Sequence, residues 1–254
     1  MKFSVVIPTL DEERHLGECI RCIQLADQSV EIIVADGGSS DQTREIANRH
    51  GCFVIKSYPG RGIQQNKGAR VAGGDILLFL HADTLIPEDA FAILRKAFCD
   101  PAVCVRMFRS VFDNHHPVLA ISSFFTRFET RFTSFGDQGL AIRKTFFESL
   151  GGFPELSLFE DVRFLQMARR ETEVRKLEGT VITSARRFVN RGPLLQQMRN
   201  GVLLLSYFLG VSPEYLALRY AGGLAGIGSD CEVAGDALPR PGLVEAKKRD
   251  VQML

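Results

Sequence analysis

The sequence predicts an α/β fold with a mostly parallel central sheet and helices on both faces. Two observations lead to that prediction. Short apolar runs alternate with segments of helical spacing through the first hundred residues, and this alternation is typical of parallel strands joined by crossover helices. Each run is also followed directly by proline or a polar residue. The chain has 254 residues, of which 45% are hydrophobic, so it can bury a core without disulfides.

Four apolar runs in the first hundred residues have the length and composition of strands buried on both faces. The predicted strands span residues 3–7, 30–35, 53–56 and 76–80. Helical spacing separates them, with acidic residues 11–13 at one helix start and Ser40 or Asp41 at another. The predicted helices span residues 11–25, 41–50, 63–72 and 87–98.

The order of elements changes after residue 100, where the simple alternation stops. The predicted strands there span residues 103–112, 139–143, 174–177 and 181–183. The predicted helices span residues 117–133, 161–170, 193–209 and 213–220. From residue 222 onward glycine is frequent and periodicity is lost, so residues 222–254 are expected to form a flexible tail.

Charge and hydropathy narrow the class of protein. Lysine and arginine total 31 against 30 aspartate and glutamate residues, so the net charge of +1 gives no reason to expect nucleic-acid binding. The first apolar run stops at Pro8 without a cleavage site, and the run Val202–Val211 is about half the length that a bilayer requires. We therefore expect a cytoplasmic protein. Its six cysteines fit a reducing compartment, with Cys19 and Cys22 expected in the core.

Polar residues cluster at the carboxyl ends of the first four predicted strands. In an open parallel sheet these ends form one edge, outside which ligands bind. The residues at these ends are Pro8, Thr9, Asp11, Glu12, Asp36, Gly37, Gly38, Gly60, Arg61, His81 and Asp83. Taken singly, Asp36 and Asp41 also suit plain turn and cap roles. Taken as a set, the residues predict a ligand site at this edge.

The residue types at this edge indicate a phosphorylated ligand. Asp36 can accept hydrogen bonds from a base or a ribose, and Gly37 lets a ligand approach the backbone closely. Arg61 and Lys67 can bind phosphates, although Lys67 equally suits a solvated helix face. His81 and Asp83 stand on alternate residues of an extended turn, a spacing that suits a divalent ion bridging a diphosphate, with the imidazole favouring Mn²⁺ over Mg²⁺.

Three stretches of the sequence resemble the motifs of one enzyme family. Residues 4–13, SVVIPTLDEE, resemble the opening of family 2 glycosyltransferases of the GT-A fold. Residues 34–43, VADGGSSDQT, resemble that family's second nucleotide-binding stretch. Residues 78–84, LFLHADT, match the position of its D-x-D metal motif, with His81 in the first place. The resemblance covers roughly residues 3–170 and is nearest to a small soluble bacterial subfamily with this H-A-D variant.

The resemblance implies a nucleotide-diphosphate sugar as the donor, with UDP favoured, and an acceptor of unknown identity. It also implies a divalent cation, Mn²⁺ or Mg²⁺, which Asp83 would hold on the diphosphate together with His81. The residues that would bind the donor nucleotide are Pro8, Thr9, Asp11, Glu12, Asp36, Gly37, Arg61, Lys67 and Ala82.

The resemblance further implies that Glu160 and Asp161 form a catalytic pair in an inverting reaction. Asp161 would remove the proton from the acceptor hydroxyl as its oxygen attacks the sugar carbon. Considered without the family, Asp161 is more simply a first-turn acid at a helix start. Asp137 and Gln138 would position the acceptor. The family's layout implies one domain over residues 1–221, with a nucleotide-sugar half at 1–100 and an acceptor half at 101–221.

Two other functions compete with this interpretation. A sugar nucleotidyltransferase would carry its glycine-rich loop directly after the first strand, where this chain has no glycine until Gly17. A non-catalytic protein that binds a nucleotide sugar fits the departure at His81, although Glu160 and Asp161 are retained. A processive synthase is disfavoured because the chain has no tryptophan after Gln196 and Arg199.

A basic segment precedes the apolar run Val202–Val211, and it consists of Arg186, Arg187, Arg191 and Arg199. Basic residues beside an apolar helix face can rest on anionic lipid. That would suit a lipid-linked acceptor and a weak peripheral membrane contact. The simpler alternative is a C-terminal helix packed on the sheet, with its arginines in water. The oligomeric state does not follow from the sequence.

Overall fold

The computed structural model describes residues 1–222, without side-chain detail at residues 190, 191, 221 and 222. The rest of the predicted tail lies outside the described residues. The strands are β1 (Phe3–Thr9), β2 (Glu31–Asp36), β3 (Phe53–Lys56), β4 (Ile76–Phe79), β5 (Thr84–Leu85), β6 (Val105–Phe112), β7 (Leu140–Arg143) and β8 (Val174–Thr183). The helices are α1 (Leu16–Ala26), α2 (Thr43–Arg49), α3 (Arg61–Val71), α4 (Ala90–Phe98), α5 (Pro117–Phe125), α6 (Lys144–Ser149), α7 (Glu160–Glu171), α8 (Arg186–Arg191), α9 (Pro193–Phe208) and α10 (Pro213–Gly222), with a short 3₁₀ helix at Gly136–Gln138.

The strands form one sheet in the order β3-β2-β1-β4-β7-β6-β8-β5. The first four strands along the chain pair in parallel, and β6 pairs in parallel with β8. Strand β7 runs antiparallel to both of its neighbours, and β5 runs antiparallel to β8. The predicted α/β class with a mostly parallel sheet is therefore confirmed.

The sheet is buried on both faces, which explains why its central strands read as continuous apolar runs. In β1, Val5 and Ile7 join a core with α1 and α4, while Val6 joins the opposite core with α3 and α7. Helix α3 lies so close to the sheet that a Cβ atom at Gly68 would stand 2.3 Å from Val6 Cγ1. Glycine at this position sets the depth at which α3 packs.

Several element boundaries differ from the sequence expectation. The two short strands predicted at residues 174–177 and 181–183 are one strand, β8. Gly179 interrupts the apolar run between the two predicted strands. Other side chains cover it, and a Cβ atom on it would lie 2.9 Å from Ile93 Cδ1. Helix α5 ends at Phe125, short of the predicted residue 133, because the Thr126 hydroxyl bonds to the Ser110 backbone on β6. Elements β5, α6 and α8 were not predicted.

The predicted helix at residues 11–25 begins later, at Leu16. Asp11 has a φ of 54°, in the left-handed region, and residues 11–13 bond to the loop after β2 instead of starting a helix. The acidic residues that suggested a helix start therefore hold the loop after β1 against the loop after β2. Within residues 1–222, no helix combines the length and hydrophobicity needed to cross a bilayer.

Candidate active site

The loops after β1 and β2 are bonded to each other through side chains. The Asp11 carboxylate accepts hydrogen bonds from the Ser40 backbone N–H at 2.8 Å and the Ser40 hydroxyl at 3.1 Å. In return, the Asp11 N–H donates to the Ser39 hydroxyl at 3.0 Å, and the Glu12 N–H donates to Thr43 Oγ1 at 2.8 Å. These reciprocal bonds make the two loops one unit at the carboxyl edge of the sheet.

Asp36 shapes this unit from inside. Its carboxylate is 1% exposed and accepts from the Gly38 and Ser39 N–H groups, each at 3.1 Å, from the Ser39 hydroxyl, and from Thr9 Oγ1 at 3.4 Å. A carboxylate has about four acceptor positions, so the loop itself occupies them. The structure thus gives Asp36 the turn role. The base or ribose contact expected from the sequence has no exposed carboxylate oxygen to use.

Gln64 on α3 was not singled out from the sequence, yet it joins the ends of β1 and β2. Its Nε2 group donates to the Thr9 and Ala35 carbonyl oxygens, each at 2.7 Å. Gly37 packs against it, since a Cβ atom on Gly37 would stand 3.1 Å from Gln64 Nε2. Pro8 lies within β1, buried opposite Ala35. The sequence offered one sign of this role, which was the position of Gln64 in the predicted helix at residues 63–72.

The predicted metal motif follows β4, at the same edge of the sheet. Ala82 is buried in the core, while His81 and Asp83 are half-buried. Arg186 Nη2 lies 3.1 Å from Asp83 Oδ2, and the same guanidinium binds both carboxylate oxygens of Glu12 at 2.6 and 2.9 Å. Arg186 therefore connects the donor-side loop to the metal motif, from a helix that the sequence did not predict.

His81 and Asp83 fit a divalent ion that is shared with a diphosphate. Burial, together with the positive charge of Arg61, lowers the pKa of His81 to about 4, so the imidazole is neutral at pH 7 and able to coordinate. Among the described residues no three His, Cys, Asp or Glu side chains form a metal cage. Mg²⁺ is commonly held by one or two carboxylates with substrate phosphates supplying further ligands. This motif offers one carboxylate, Asp83, which Arg186 contacts at 3.1 Å in the structure.

Asp161 is held in place at the start of α7. Its Oδ2 accepts the Gly136 N–H at 2.6 Å, and its Oδ1 accepts the Val162 N–H at 2.8 Å. A Cβ atom on Gly136 would lie 3.1 Å from the Asp161 carboxylate, so this approach needs glycine. Phe159 precedes the pair with a φ of 66°, a left-handed conformation that turns the chain into the helix. The carboxylate is thereby fixed in orientation.

Glu160, the other member of the pair, forms an ion pair with Arg61. Arg61 Nε lies 2.7 Å from Glu160 Oε1, and Glu160 is 3% exposed. Burial raises the pKa of Glu160, while the charge of Arg61 opposes that rise. Arg61 stands at the first turn of α3, so this ion pair joins the donor side to the helix that bears Asp161.

The predicted acceptor residues have different surroundings. Asp137 Oδ1 is buried without a hydrogen-bond partner, and burial with the negative charge of Asp161 raises the pKa of Asp137 to about 6. Gln138 is 1% exposed, donates to the Thr133 carbonyl at 2.8 Å, and accepts from Lys176 Nζ. Both ends of the Gln138 amide are thus bonded to the chain, whereas Asp137 Oδ1 is not, and the acceptor role of both residues stays a prediction.

Five of the predicted site residues interact electrostatically as one charge cluster. Electrostatic interactions connect His81 with Arg61, Asp83 and Asp161. Asp137 interacts with the same three residues. Lys67 lies apart from this cluster. It is exposed and donates to the Lys56 carbonyl at the end of β3, the edge strand. Its predicted diphosphate contact has no support from this position.

Two arginines of the basic segment before residue 202 are held by the rest of the protein. Arg199 is 5% exposed inside α9, and Arg186 is bound to Glu12 and Asp83. Arg187 is exposed, and the membrane contact of the segment stays a prediction. Gln196 is buried, with its Nε2 2.7 Å from Asn200 Oδ1.

Three features of the structure are those of the GT-A class of transferase folds. They are the order of the strands in the sheet, the mutually bonded loops after β1 and β2, and helix α7, which begins with Glu160 and Asp161. Solved structures agree. A mannosyltransferase from Pyrobaculum calidifontis, in complex with GDP-Man and Mn²⁺, matches with a TM-score of 0.63 at 19% identity, over 87% of this chain and 69% of that one. Staphylococcus aureus TarS residues 1–349, in complex with UDP-GlcNAc, match with a TM-score of 0.57 at 20% identity, over 72% and 58%. At such identities the likeness shows the fold alone.

Sequence similarity identifies the family. The profile of glycosyl transferase family 2 matches residues 4–152, more than half of the chain, so the chain belongs to that family. A glucosyl-3-phosphoglycerate synthase of Mycolicibacterium paratuberculosis is 35% identical over 99 residues, 35% of this chain and 30% of that protein. A dolichol-phosphate mannosyltransferase of Pyrococcus furiosus is 31% identical over 105 residues, which are 38% of this chain and 30% of that protein. The chain thus spans about a third of the length of the curated relatives it matches.

Proposed function

We propose that the chain transfers a sugar from a nucleotide-diphosphate sugar to an acceptor hydroxyl, with inversion at the anomeric carbon. The observation that carries this proposal is the convergence of His81, Asp83, Asp137 and Asp161 at the carboxyl edge of the sheet. Family membership supports it. The complexes of similarly folded proteins with UDP-GlcNAc and GDP-Man support a nucleotide sugar as the donor.

In this proposal the donor nucleotide occupies the unit formed by the loops after β1 and β2, next to the exposed residues Leu10, Asp11, Gly38 and Ser40. We favour a UDP sugar. Asp83 with His81 would hold a divalent cation, Mn²⁺ or Mg²⁺, and that cation supplies charge stabilisation for the departing diphosphate. Arg61, held beside Glu160, adds positive charge on the same side. In this scheme residues 1–100 form the donor half and residues 101–221 the acceptor half.

Asp161 acts as the general base in this scheme. It takes the proton of the acceptor hydroxyl while that oxygen bonds to the anomeric carbon and the bond from carbon to diphosphate breaks on the opposite face. The N–H groups of Gly136 and Val162 hold its carboxylate in one orientation and leave its remaining lone pairs for the proton. In this scheme the Asp137 carboxylate binds the acceptor hydroxyl, since its Oδ1 has no hydrogen-bond partner within the described residues.

Calorimetric titration of UDP, GDP, CDP and dTDP into the protein tests this proposal, first with Mn²⁺ and then with excess chelator. We expect one nucleotide to bind and the chelator to weaken it strongly. Asp83→Asn should abolish the effect of Mn²⁺, whereas Asp89→Asn, an exposed carboxylate in the same stretch, should retain it. Binding that ignores the metal would remove the cation from the scheme. Absence of binding by all four nucleotides would contradict the transferase proposal.

A further inference from the structure

Helix α9 turns its apolar side outward. Leu194, Met198, Val202, Leu205 and Leu209 follow one another at intervals of four, four, three and four residues, so they form one row along the helix and its C-cap. Their side chains are between 49% and 77% exposed. A surface helix normally hides such a row against the core.

The inner side of the same helix is only partly apolar, because two polar residues are buried there beside Leu203 and Leu204. Gln196 and Arg199 are 2% and 5% exposed, and Arg199 is the one charged residue of α9. Helix α9 therefore exposes more apolar side chains than it buries, unlike a helix that packs its apolar side on a core and faces water with its polar side. Such a helix has its outer face in contact with something less polar than water in its working state.

Helix α5 extends the exposed apolar surface. It has no charged residue, it packs against α9, and the ring of Phe132 in the segment after it lies 5.2 Å from the ring of Phe208. We name the combined surface the α5–α9 face, after its exposed side chains Phe124, Phe125, Phe132, Met198, Val202 and Leu205.

The net charge next to the α5–α9 face is positive. Arg127 is exposed and lies over the Phe124 ring at 3.9 Å, and Arg131 is also exposed. Glu129, the acid between them, is bound by Arg169. Exposed aromatic and aliphatic side chains with arginines beside them are the features of a surface that lies in the interface of an anionic bilayer.

We propose that the α5–α9 face binds anionic lipid bilayers peripherally, with its apolar side chains among the acyl chains and Arg127 and Arg131 at the headgroups. The positive charge argues for lipid over a second copy, because a two-fold pairing of this face would bring the arginines of both copies together. Residues 223–254 are a poor covering segment, since they contain no aromatic residue and are interrupted by glycine and proline. The inference is independent of the transferase proposal.

Binding in this way would bring the bilayer close to the acceptor side. Phe132 directly precedes Thr133, whose carbonyl accepts the Gln138 amide. On the other side, the Tyr207 ring of α9 lies 4.9 Å from the Phe159 ring, which precedes the catalytic pair. The face is thus continuous with the elements that hold Asp137 and Asp161.

Vesicle sedimentation of the full chain tests the proposal, with phosphatidylcholine vesicles and with vesicles containing phosphatidylglycerol. We expect binding to the anionic vesicles, and a loss of about 100-fold or more in Met198→Glu/Leu205→Glu. The control Leu25→Glu/Val71→Glu places the same charges at exposed apolar positions of α1 and α3 and should change binding less than about twofold. Arg127→Ser/Arg131→Ser should lose about 30-fold, at about fivefold per basic residue.

Three outcomes would overturn this proposal. The first is an absence of sedimentation with anionic vesicles. The second is equal loss of binding in the control and in Met198→Glu/Leu205→Glu, with both shown by urea unfolding to be folded. The third is a dimer of the unmodified chain by light scattering without lipid, which dissociates in Met198→Glu/Leu205→Glu and not in the control. That result would assign the face to a second copy.

Discussion

The donor side and the acceptor side of the site use their carboxylates in opposite ways. On the donor side, the buried carboxylate of Asp36 accepts hydrogen bonds from Thr9, Gly38 and Ser39 and has no acceptor position left over. On the acceptor side, Asp137 keeps one buried oxygen without a partner, and its pKa is raised to about 6. The first arrangement shapes a loop before any ligand arrives. The second leaves a buried carboxylate oxygen that no other described group binds.

This difference separates the positions that stabilise the protein from the positions that react. A fully bonded buried carboxylate contributes to folding, and its removal leaves several donors unpaired. A buried carboxylate beside another of like charge weakens folding, and such groups concentrate at functional sites. The comparison therefore makes different predictions for substitutions on the two sides.

The largest expected effect concerns Asp161. Asp161→Asn keeps the shape of the side chain and removes the base, so turnover should fall by about 10²–10⁴-fold. Nucleotide binding by calorimetry should stay within about twofold, because Asp161 does not touch the donor loops in our scheme. The readout is release of nucleoside diphosphate from the donor that the titration identifies. Glu171→Gln, an exposed carboxylate at the far end of α7, is the matched control. Unchanged turnover in Asp161→Asn would transfer the role of base to Asp137.

A smaller effect, on stability, is expected on the donor side. Asp36→Asn places an amide against the Gly38 and Ser39 N–H groups, and it should lower the free energy of unfolding by about 3 kcal/mol. Asp41→Asn is the control, since Asp41 accepts similar bonds from Thr43 and Glu13 at an exposed position and should lose about 1 kcal/mol or less. Urea unfolding measures both. Equal losses in the two variants would mean that the burial of Asp36 does not increase the contribution of its hydrogen bonds to the free energy of unfolding.

The smallest effect is expected at Asp137, and it has the opposite sign. Folding raises the pKa of its carboxyl from 3.8 to about 6, so the folded state binds the proton more tightly than the unfolded state. The contribution of Asp137 to stability is therefore highest below pH 4 and is lost as the pH rises to 6. Asp137→Asn should be about 2 kcal/mol more stable than the unmodified chain at pH 8 and equal to it near pH 4.

Urea unfolding at the two pH values checks this prediction. Asp89→Asn, at an exposed position on α4 without a side-chain cap bond, should leave the pH dependence unchanged. A gain in Asp137→Asn of the same size at both pH values would show that packing, and not charge, is the cause. A loss at pH 8 would place Asp137 with Asp36 among the stabilising carboxylates, and the contrast between the two sides would disappear.

The sequence predicts the fold class and the donor edge well because both depend on local patterns. Strand β3 was predicted with its observed bounds, and β1, β2 and β4 within two residues. The residues at their ends follow from the rule that parallel strands end at one edge. The family was recognisable because its motifs also lie on these strand ends, inside residues 4–152.

The partners of these residues could not be predicted, because they come from distant parts of the chain. Arg186 reaches Glu12 across 174 positions, and Gln64 reaches Thr9 across 55. No periodicity marks such pairs, since each depends on how the helices settle on the sheet. The same reason explains Gln138, which was predicted to position the acceptor and whose amide is bonded to Lys176 and Thr133.

The ion pairs of Arg186 join the segment that matches the family to the later part of the chain. Glu12 and Asp83 lie inside the segment that matches the family, whereas Arg186 lies beyond it. A chimera that joined residues 1–152 to the second half of a relative without a basic residue at this place would leave two carboxylates facing one another uncompensated. A chimera of this kind therefore requires a basic residue in the place of Arg186.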